Sequence, residues 1–386
     1  MPPRKAPAQK GLSAARAFLP LSAGIVLCGA VIFLLGFSNL FPVEYVRAID
    51  DLPLQPSWPA KLDTNAYNLR MLSLAHIDVA STSFALGIST TTVIATGTIP
   101  VTWTASTSVS VFGRNWPHGA AYPYGDAIFP WKRIVAYYGN FYSKQMGVLG
   151  EYPQDEVLAK LASTTAAWQA ADPSTPTIPA IQYIAVVAQG SAGKDGKWRA
   201  RMPDEEIEKA LAMANQMHGL LILDVQVGLS TLQDELPLLE NYLQLPNVML
   251  AVDPEFSMKY GNPPGTVIGT FDAKDVNYAA GYLASIVDAD KLPPKILVVH
   301  RFTYDMVTHA ENITPLPEVQ VVMDMDGWGS QAKKIGTYTN VVAPEPVQFT
   351  GIKLFYHADL KPPSTGMLTM DQVLSLTPAP IYVQYQ

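Results

Sequence analysis

The stretch Val248-Met249-Leu250-Ala251-Val252-Asp253-Pro254-Glu255-Phe256 decides the predicted fold. Its apolar run contains neither Gly nor Pro and is followed at once by two carboxylates, the pattern of a buried strand that ends at a cleft. Similar runs recur along the chain from residue 132 onward. They are Ile134–Tyr138, Ile178–Val187, Leu220–Val225, Val267–Thr270, Ile296–His300, Val319–Met323 and Ile352–Tyr356.

These eight runs alternate with segments of helical period, which predicts a parallel sheet with helices on its outside. Pro203 followed by three acids predicts one helix, and Asp275–Val287 predicts another. Eight such units in residues 131–386 favour a (β/α)₈ TIM barrel, with a doubly wound open sheet as the alternative. Pro237 and the Gly/Pro-rich segment 256–266 predict irregular helices after the third and fourth strands.

The N-terminal residues predict where the protein is located in the cell and where its main domain begins. Residues 17–43 carry no charge and are long enough to cross a bilayer, and Arg4, Lys5, Lys10 and Arg16 precede them. We therefore expect a cytoplasmic basic tail at 1–16, a transmembrane anchor at 17–43 and an extracellular or periplasmic remainder. A cleaved signal peptide is the alternative. Residues 44–130, rich in Ser, Thr and Pro, are predicted to be a spacer or a small β accessory region.

Charge and cysteine content limit the partners. With the four N-terminal positive charges subtracted from the net of −7, the remainder carries −11. An acidic surface of this kind argues against nucleic acid as a partner. The only cysteine is Cys28, inside the predicted anchor, so the domain that follows contains no disulfide.

Polar side chains cluster where the apolar runs end. In a barrel of this type the carboxyl ends of the strands meet on one face, so these side chains are candidates for a common site. They are Tyr137, Tyr138, Asp224, Gln226, Asp253, Glu255, His300, Asp324, Asp326, Lys353 and Tyr356.

This layout resembles the glycoside hydrolase barrel superfamily, whose proton donor follows strand four and whose nucleophile follows strand seven. Counted along the sequence, Glu255 follows the fourth run and Asp324 the seventh. The motifs differ from the common pattern, since Asp-Pro-Glu replaces Asn-Glu and an Asp replaces the second Glu. The elements Ala136–Gly139, Gly147–Glu151, Leu223–Gln226 and Gly351–Tyr356 are also similar to those of exported, lipoprotein-like bacterial TIM-barrel proteins of unassigned activity.

The resemblance implies a hydrolase that acts on an extracellular or envelope polysaccharide through paired carboxylates. Glu255 is the expected general acid/base, and Asp324 the nucleophile or second base. Asp224, Asp253 and Lys353 are expected to position the substrate and tune pKa values, with Gln226, His300 and Asp326 also in the substrate site. Tyr137, Tyr138 and Tyr356 are expected to line the sugar site.

The loop 190–201 after the second run carries Lys194, Lys197, Arg199 and Arg201 around Trp198. A Trp can stack on a sugar ring and the basic groups can pair with carboxylates, which predicts an acidic glycan as substrate. A solvated loop accounts for the same charges equally well.

Other motifs are absent from the sequence. There is no phosphate-binding Gly loop, no Gly-x-Ser-x-Gly elbow and no Cys/His zinc set, so neither a cofactor nor a metal is predicted. Two alternatives stay open. One is a non-catalytic glycan-binding or scaffolding barrel, and the other is a metal-dependent hydrolase built on Asp224, Asp253, His300 and Asp324.

Overall fold

Eight parallel strands close into a barrel in the computed structural model, which describes residues 58–77 and 121–386. Each strand pairs with the next, and β1 pairs with both β2 and β8. The predicted TIM barrel is thereby confirmed, and the open sheet is excluded. The strands are β1 Arg133–Gly139, β2 Thr177–Ala188, β3 Leu220–Val225, β4 Val248–Val252, β5 Lys295–Arg301, β6 Val319–Met325, β7 Phe349–Leu354 and β8 Tyr382–Tyr385.

One predicted strand is wrong and one strand was missed. Residues Val267–Thr270 lie in a loop, where Val267 and Ile268 are half exposed. The closing strand is Tyr382–Tyr385, a short segment that follows two prolines. As a result, Ile296–His300 belongs to the fifth strand and Asp324 lies on the sixth strand, not the seventh. The seventh strand instead carries Lys353.

The helices on the outside follow local sequence signals. Helix α4 begins after Pro203 with three acids in its first turn and buries Ile207 and Ala210. Helix α7 begins with a capping box formed by Asp272 and Asp275. The helices are α1 Thr64–Leu74, α2 Val148–Glu151, α3 Gln154–Ala171, α4 Asp204–Gln216, α5 Leu232–Glu235, α6 Glu240–Leu243, α7 Ala273–Asp290, α8 Gln331–Thr337 and α9 Met370–Leu374.

Irregular segments join several of these elements. As predicted, the helix after β3 is broken near Pro237, where a 3₁₀ turn, Leu236–Leu239, separates α5 from α6. The shortened helix predicted after β4 is wrong, because a 3₁₀ turn and a loop lead into the full-length α7. The remaining short segments are the strand pieces Arg199–Arg201, Phe271–Asp272 and Val307–Thr308, the 3₁₀ turns Pro254–Phe256, Tyr304–Met306, Ala310–Asn312 and Ala358–Leu360, and the π-helix Tyr338–Val342.

Part of the predicted spacer packs on the N-terminal end of the barrel. Helix α1 contributes Tyr67, Met71 and Leu74 to the same apolar cluster as the inward-facing residues of the strands. The backbone amide of Ala379 also donates a hydrogen bond of 2.7 Å to the carbonyl of Leu74. This packing covers the end of the barrel opposite the strand carboxyl ends.

The predicted location has to be corrected. Within residues 58–77 and 121–386, no helix has both the length and the apolar character needed to cross a bilayer. A membrane-anchored protein with a cytoplasmic N-terminus and an extracellular domain is therefore not what this structure shows. The basic tail 1–16 and the segment 17–43, with Cys28, lie outside the described residues.

Candidate functional site

The two-residue period of the strands places the polar side chains inside the barrel. On β3, Leu220 and Ile222 belong to the interior cluster, so Asp224 faces inward too. On β5, Ile296 and Val298 are interior, so His300 has the same orientation. An apolar layer at the bottom of the barrel is thus followed by a polar layer near the carboxyl ends of the strands.

His300 lies at the centre of this buried polar layer. Its Nε2 is 2.8 Å from Asp224 Oδ2, and its Nδ1 is 3.2 Å from Asp324 Oδ2. Gln182, from β2, donates to the same Asp224 oxygen over 2.7 Å. The Tyr382 hydroxyl of β8 donates to Gln182 Oε1. Five strands therefore contribute to one network that is closed to solvent.

Gly351 of β7 provides the space that this layer needs. A Cβ atom at this position would lie 2.6 Å from Asp324 Oδ1 and 2.7 Å from Tyr382 Cδ1, closer than van der Waals contact allows. The absence of a side chain at position 351 is thus what admits the carboxylate of Asp324 to the barrel interior.

Gly351→Ala is therefore expected to lower the free energy of unfolding by about 1–3 kcal/mol through overpacking. Gly281→Ala is the matched control, because Gly281 lies in α7 with no atom within 4 Å of its Cβ position. That control is expected to be neutral or stabilising by up to about 1 kcal/mol. Urea unfolding of both variants measures the difference, and equal stabilities would contradict the packing argument.

A cavity of about 720 Å³ opens directly above the polar layer. Its polar lining includes carboxylates from the β4 and β6 ends and lysines from β7 and α8. The lining residues are Tyr138, Gln145, Met146, Ile184, Ala188, Gln226, Asp253, Glu255, Phe256, Phe302, Thr303, Asp326, Gly327, Trp328, Lys333, Thr337, Lys353, Phe355 and Gln386.

Asp326 forms the floor of this cavity together with Lys353. The Lys353 ammonium lies 3.0 Å from Asp326 Oδ1 and 3.7 Å from the centre of the Tyr138 ring. The second oxygen of Asp326 is 3.3 Å from His300 Nδ1. Each oxygen of this carboxylate therefore lies beside a basic side chain.

Glu255, from the 3₁₀ turn after β4, faces the same cavity. The pKa of Glu255 is raised to about 7, because burial and then the negative charge of Asp326 raise it by more than Lys353 and His300 lower it. Glu255 is thus partly protonated at neutral pH. The pKa of Asp253 is raised well above its ordinary value, chiefly by burial, and its Oδ2 accepts a hydrogen bond of 3.3 Å from Gln226.

The structure brings most of the predicted residues together but places others elsewhere. Tyr138, Gln226, Asp253, Glu255, Asp326 and Lys353 line the cavity. Asp224, His300 and Asp324 lie below it, fully buried. Burial raises the pKa of Asp324, with His300 lowering it, and both carboxylate oxygens lack a hydrogen bond to the residues the structure describes.

Tyr137 and Tyr356 do not line the sugar site that was predicted for them. Their hydroxyls are 3.0 Å apart, and the Tyr137 hydroxyl is 2.8 Å from Thr164 of α3. Tyr137 occupies an odd position on β1, between the inward-facing Ala136 and Tyr138, so it points outward to the helices. Both tyrosines therefore belong to the packing between the barrel and its helices.

The basic loop after β2 is held by a buried carboxylate. Glu235 is completely buried, and it pairs with Arg199 at 2.8 Å and with Arg201 at 2.7 Å. Arg199 also pairs with Asp195. Trp198 is half-buried and is not among the cavity residues. The two arginines are thus engaged within the protein, which removes much of the argument for an acidic glycan at this loop.

Sequence reasoning missed several residues of the site. Trp328 lies at the cavity with its side chain 55% exposed, and the Lys333 ammonium is 4.9 Å from the centre of its ring. Its signal was present, because it stands between two glycines immediately after Asp324-Met325-Asp326. Gln182 gave no signal because it lies within an apolar run, and Tyr382 gave none because its strand was not recognised.

The acids and the histidine do not form a metal site. In the part of the chain that the structure describes, no group of three or more His, Cys, Asp or Glu side chains has a geometry that could hold a metal ion. Asp224 and Asp324 instead lie on opposite sides of the His300 ring, each within ion-pair distance of a different ring nitrogen.

Comparison with known proteins adds little to this geometry. No protein-family model matches the chain, so the resemblance to exported, lipoprotein-like barrels stays a prediction. No curated protein matches it either. The crystal structure of a ruminal GH26 endo-β-1,4-mannanase is similar with a TM-score of 0.33 and 11% sequence identity, over 66% of this chain and 58% of that chain. The match spans little more than half of the mannanase, and the barrel assignment rests on the strand pairing of the protein itself.

Proposed function

We propose that the protein is a glycoside hydrolase that cleaves a carbohydrate polymer with the carboxyl groups of Glu255 and Asp326. The observation that carries this proposal is a cavity lined by two carboxyl groups in different surroundings. Glu255 has a pKa of about 7, raised chiefly by burial. Asp326 is ion-paired with Lys353 at 3.0 Å. A carboxyl group with a raised pKa and a second carboxyl group in the same cavity are the pair that glycoside hydrolysis requires.

In the proposed reaction Glu255 donates its proton to the glycosidic oxygen as the bond from that oxygen to the anomeric carbon breaks. Asp326 acts at the anomeric carbon, as nucleophile or as the base that takes a proton from the attacking water. This proposal transfers the second role from Asp324 to Asp326. Asp326 lines the cavity, whereas Asp324 lies beneath it and is fully buried.

Full-length protein incubated with a panel of neutral and acidic polysaccharides tests the proposal through the release of reducing ends. We expect release from at least one polymer, and its loss in Glu255→Gln. Glu156→Gln is the matched control, because Glu156 is exposed on α3 and pairs only with Lys160 on the same helix. Hydrolysis that persists unchanged in Glu255→Gln would overturn the assignment of the acid.

Trp328 is proposed to be the stacking platform for one sugar unit, since its exposed ring borders the cavity that holds both carboxyl groups. Trp328→Ala is expected to weaken binding of the polymer by about 5- to 30-fold, the loss of roughly 1–2 kcal/mol of aromatic contact. Tyr260→Ala is the control, because Tyr260 is 86% exposed but does not line the cavity. Calorimetric titration with the polymer that the protein hydrolyses measures the affinity of both variants. Equal affinities of Trp328→Ala and Tyr260→Ala would contradict the stacking role of Trp328.

A non-catalytic glycan-binding barrel is the second candidate, and one observation favours it. Lys353 lies on the seventh strand, which carries the nucleophile in the glycoside hydrolase barrel superfamily. Its ammonium group forms an ion pair with Asp326. Such a protein would bind a polymer in the titration above but release no reducing ends from it. In that case Lys353→Met would leave polymer binding unchanged, with hydrolysis still absent. If the protein is a hydrolase, the same substitution would change the rate of hydrolysis.

A further inference from the structure

Both ring nitrogens of His300 face carboxylates in a region closed to solvent. Nε2 is 2.8 Å from Asp224 Oδ2, while Nδ1 is 3.2 Å from Asp324 Oδ2 and 3.3 Å from Asp326 Oδ2. The His300 side chain is completely buried. A neutral imidazole has one N–H and one lone pair, so a neutral ring would direct its lone pair at a carboxylate oxygen.

The surrounding groups favour a proton on both nitrogens. Gln182 Nε2 lies 3.2 Å from His300 Nε2 and donates to Asp224 Oδ2, the oxygen that lies 2.8 Å from the same ring nitrogen. His300 Nδ1 has no hydrogen bond among the described residues and meets Asp324 and Asp326 at ion-pair distance. Tyr138, from β1, presents its ring edge-on at 6.2 Å. Two lysines also lie near these carboxylates: Lys353 of β7 pairs with Asp326, and Lys334, which pairs with Asp359, interacts electrostatically with Asp324 and Asp326. A neutral His300 would remove the ion pairs that Asp224 and Asp324 make with it.

We propose that His300 is a positioning residue that stays doubly protonated and holds Asp326 from one side while Lys353 holds it from the other. Each oxygen of Asp326 then has its own cation, Lys353 at Oδ1 and His300 at Oδ2. The imidazolium thereby holds this carboxylate in a fixed orientation at the cavity floor. The role assigned to Asp326 rests on the proposed function, whereas the protonation of His300 does not.

The titration behaviour expected from the charges agrees with this geometry. Burial alone lowers the pKa of His300, but the surrounding carboxylates of Asp224, Asp326 and Asp324 outweigh burial and raise it well above its ordinary value. An imidazolium that is buried between carboxylates therefore persists through the physiological range.

Nitrogen NMR of the full-length protein labelled with ¹⁵N-histidine tests the protonation directly. We expect both His300 nitrogens to keep the shifts of protonated nitrogens well above the pH at which an ordinary histidine loses its proton, about 6.5. His218, which is exposed, provides the reference in the same spectra. Loss of the proton from either His300 nitrogen at the pH where His218 loses its own would overturn the proposal.

The signal is assigned with His300→Gln, or by substituting the other histidines one at a time where that variant does not fold. The wild-type spectrum decides the protonation in both cases. Its result stands whether or not any polysaccharide is hydrolysed, so failure of the proposed function and failure of this inference are distinguishable.

The positioning role has its own readout in a folded His300→Gln variant. We expect kcat to fall about tenfold or more with KM changed by less than about twofold, because the acid that reacts is displaced while the sugar platform is unchanged. The pKa of Glu255 is also expected to rise, since His300 lowers it in the wild type. An unchanged kcat with an unchanged alkaline limb of the pH profile would show that His300 is purely structural.

Discussion

Replacing Glu255 by Gln is expected to lower the rate of hydrolysis by about 10²- to 10⁴-fold, the usual contribution of a positioned general acid. Gln keeps the size of the side chain and its ability to hydrogen bond, but it has no proton to give to the leaving oxygen. The loss should appear in kcat and kcat/KM alike, since the proton is transferred only in the transition state. A rise in KM alone would indicate a binding role.

The pH profile identifies the same residue. Since a general acid must be protonated, kcat/KM is expected to decline about tenfold per pH unit above the Glu255 pKa of about 7. Lys353→Met should move this limb to higher pH, because Lys353 lowers the pKa of Glu255. Asp326→Asn should lower the pKa of Glu255, because Asp326 raises it. Since this variant lacks the second carboxyl group of the proposed reaction, its Glu255 pKa is measured by ¹³C NMR of the Glu255 carboxyl carbon. Shifts of the same sign in the two variants would contradict the arrangement.

The pH dependence of thermal stability in Glu255→Gln shows whether the variant is folded. The pKa of Glu255 is about 7 in the folded protein against 4.5 in an unfolded chain, so ionisation disfavours folding. The protein therefore loses stability as the pH rises from about 4.5 to about 7, and the Gln variant avoids this loss. Its Tm at pH 7 and above should equal or exceed that of the wild type, while below pH 4.5 the two should converge.

Lys334→Met is expected to lower the free energy of unfolding by about 3–5 kcal/mol, because it leaves a buried carboxylate without its cation. Lys334 and Asp359 are both fully buried, with Nζ 2.9 Å from Oδ2. The ammonium also donates to the carbonyl of Gly327 over 2.9 Å and to that of Lys353 over 2.6 Å. Removing it releases the segment that carries Asp326 from the end of β7.

Asp359 also links the segment after β6 to the end of β7. Its carboxylate oxygens accept hydrogen bonds of 2.9 and 3.0 Å from the backbone amides of Gly329 and Phe355. The double variant Lys334→Met/Asp359→Leu is therefore expected to recover only part of the lost stability, because four backbone groups remain unpaired. Lys160→Met is the control, as its exposed i,i+4 pair with Glu156 contributes less than about 1 kcal/mol. Urea unfolding of the four proteins measures the coupling. A loss below about 1 kcal/mol in Lys334→Met would contradict the argument.

The barrel was largely predictable from the sequence because its strands are short, uninterrupted apolar runs between amphipathic helices. Two segments were predicted wrongly. Val267–Thr270 has the composition of a strand but lies in a loop between β4 and α7. Tyr382–Tyr385 was overlooked although it closes the barrel, because four residues that include Gln384 do not form an apolar run. The two segments differ in whether a neighbouring strand pairs with them, and the local sequence does not contain that information.

The candidate site was predictable as a set of strand ends, and this follows from the parallel arrangement alone. The sequence by itself determined that Asp224, Glu255, His300 and Asp326 collect at one end of the barrel, since all parallel strands finish there. It did not determine their depth. Strand pleat points Tyr137 outward and His300 inward, and the glycine at 351 admits Asp324 below the cavity. Only the tertiary structure decides which carboxylates meet solvent, because that depends on neighbouring strands distant in sequence.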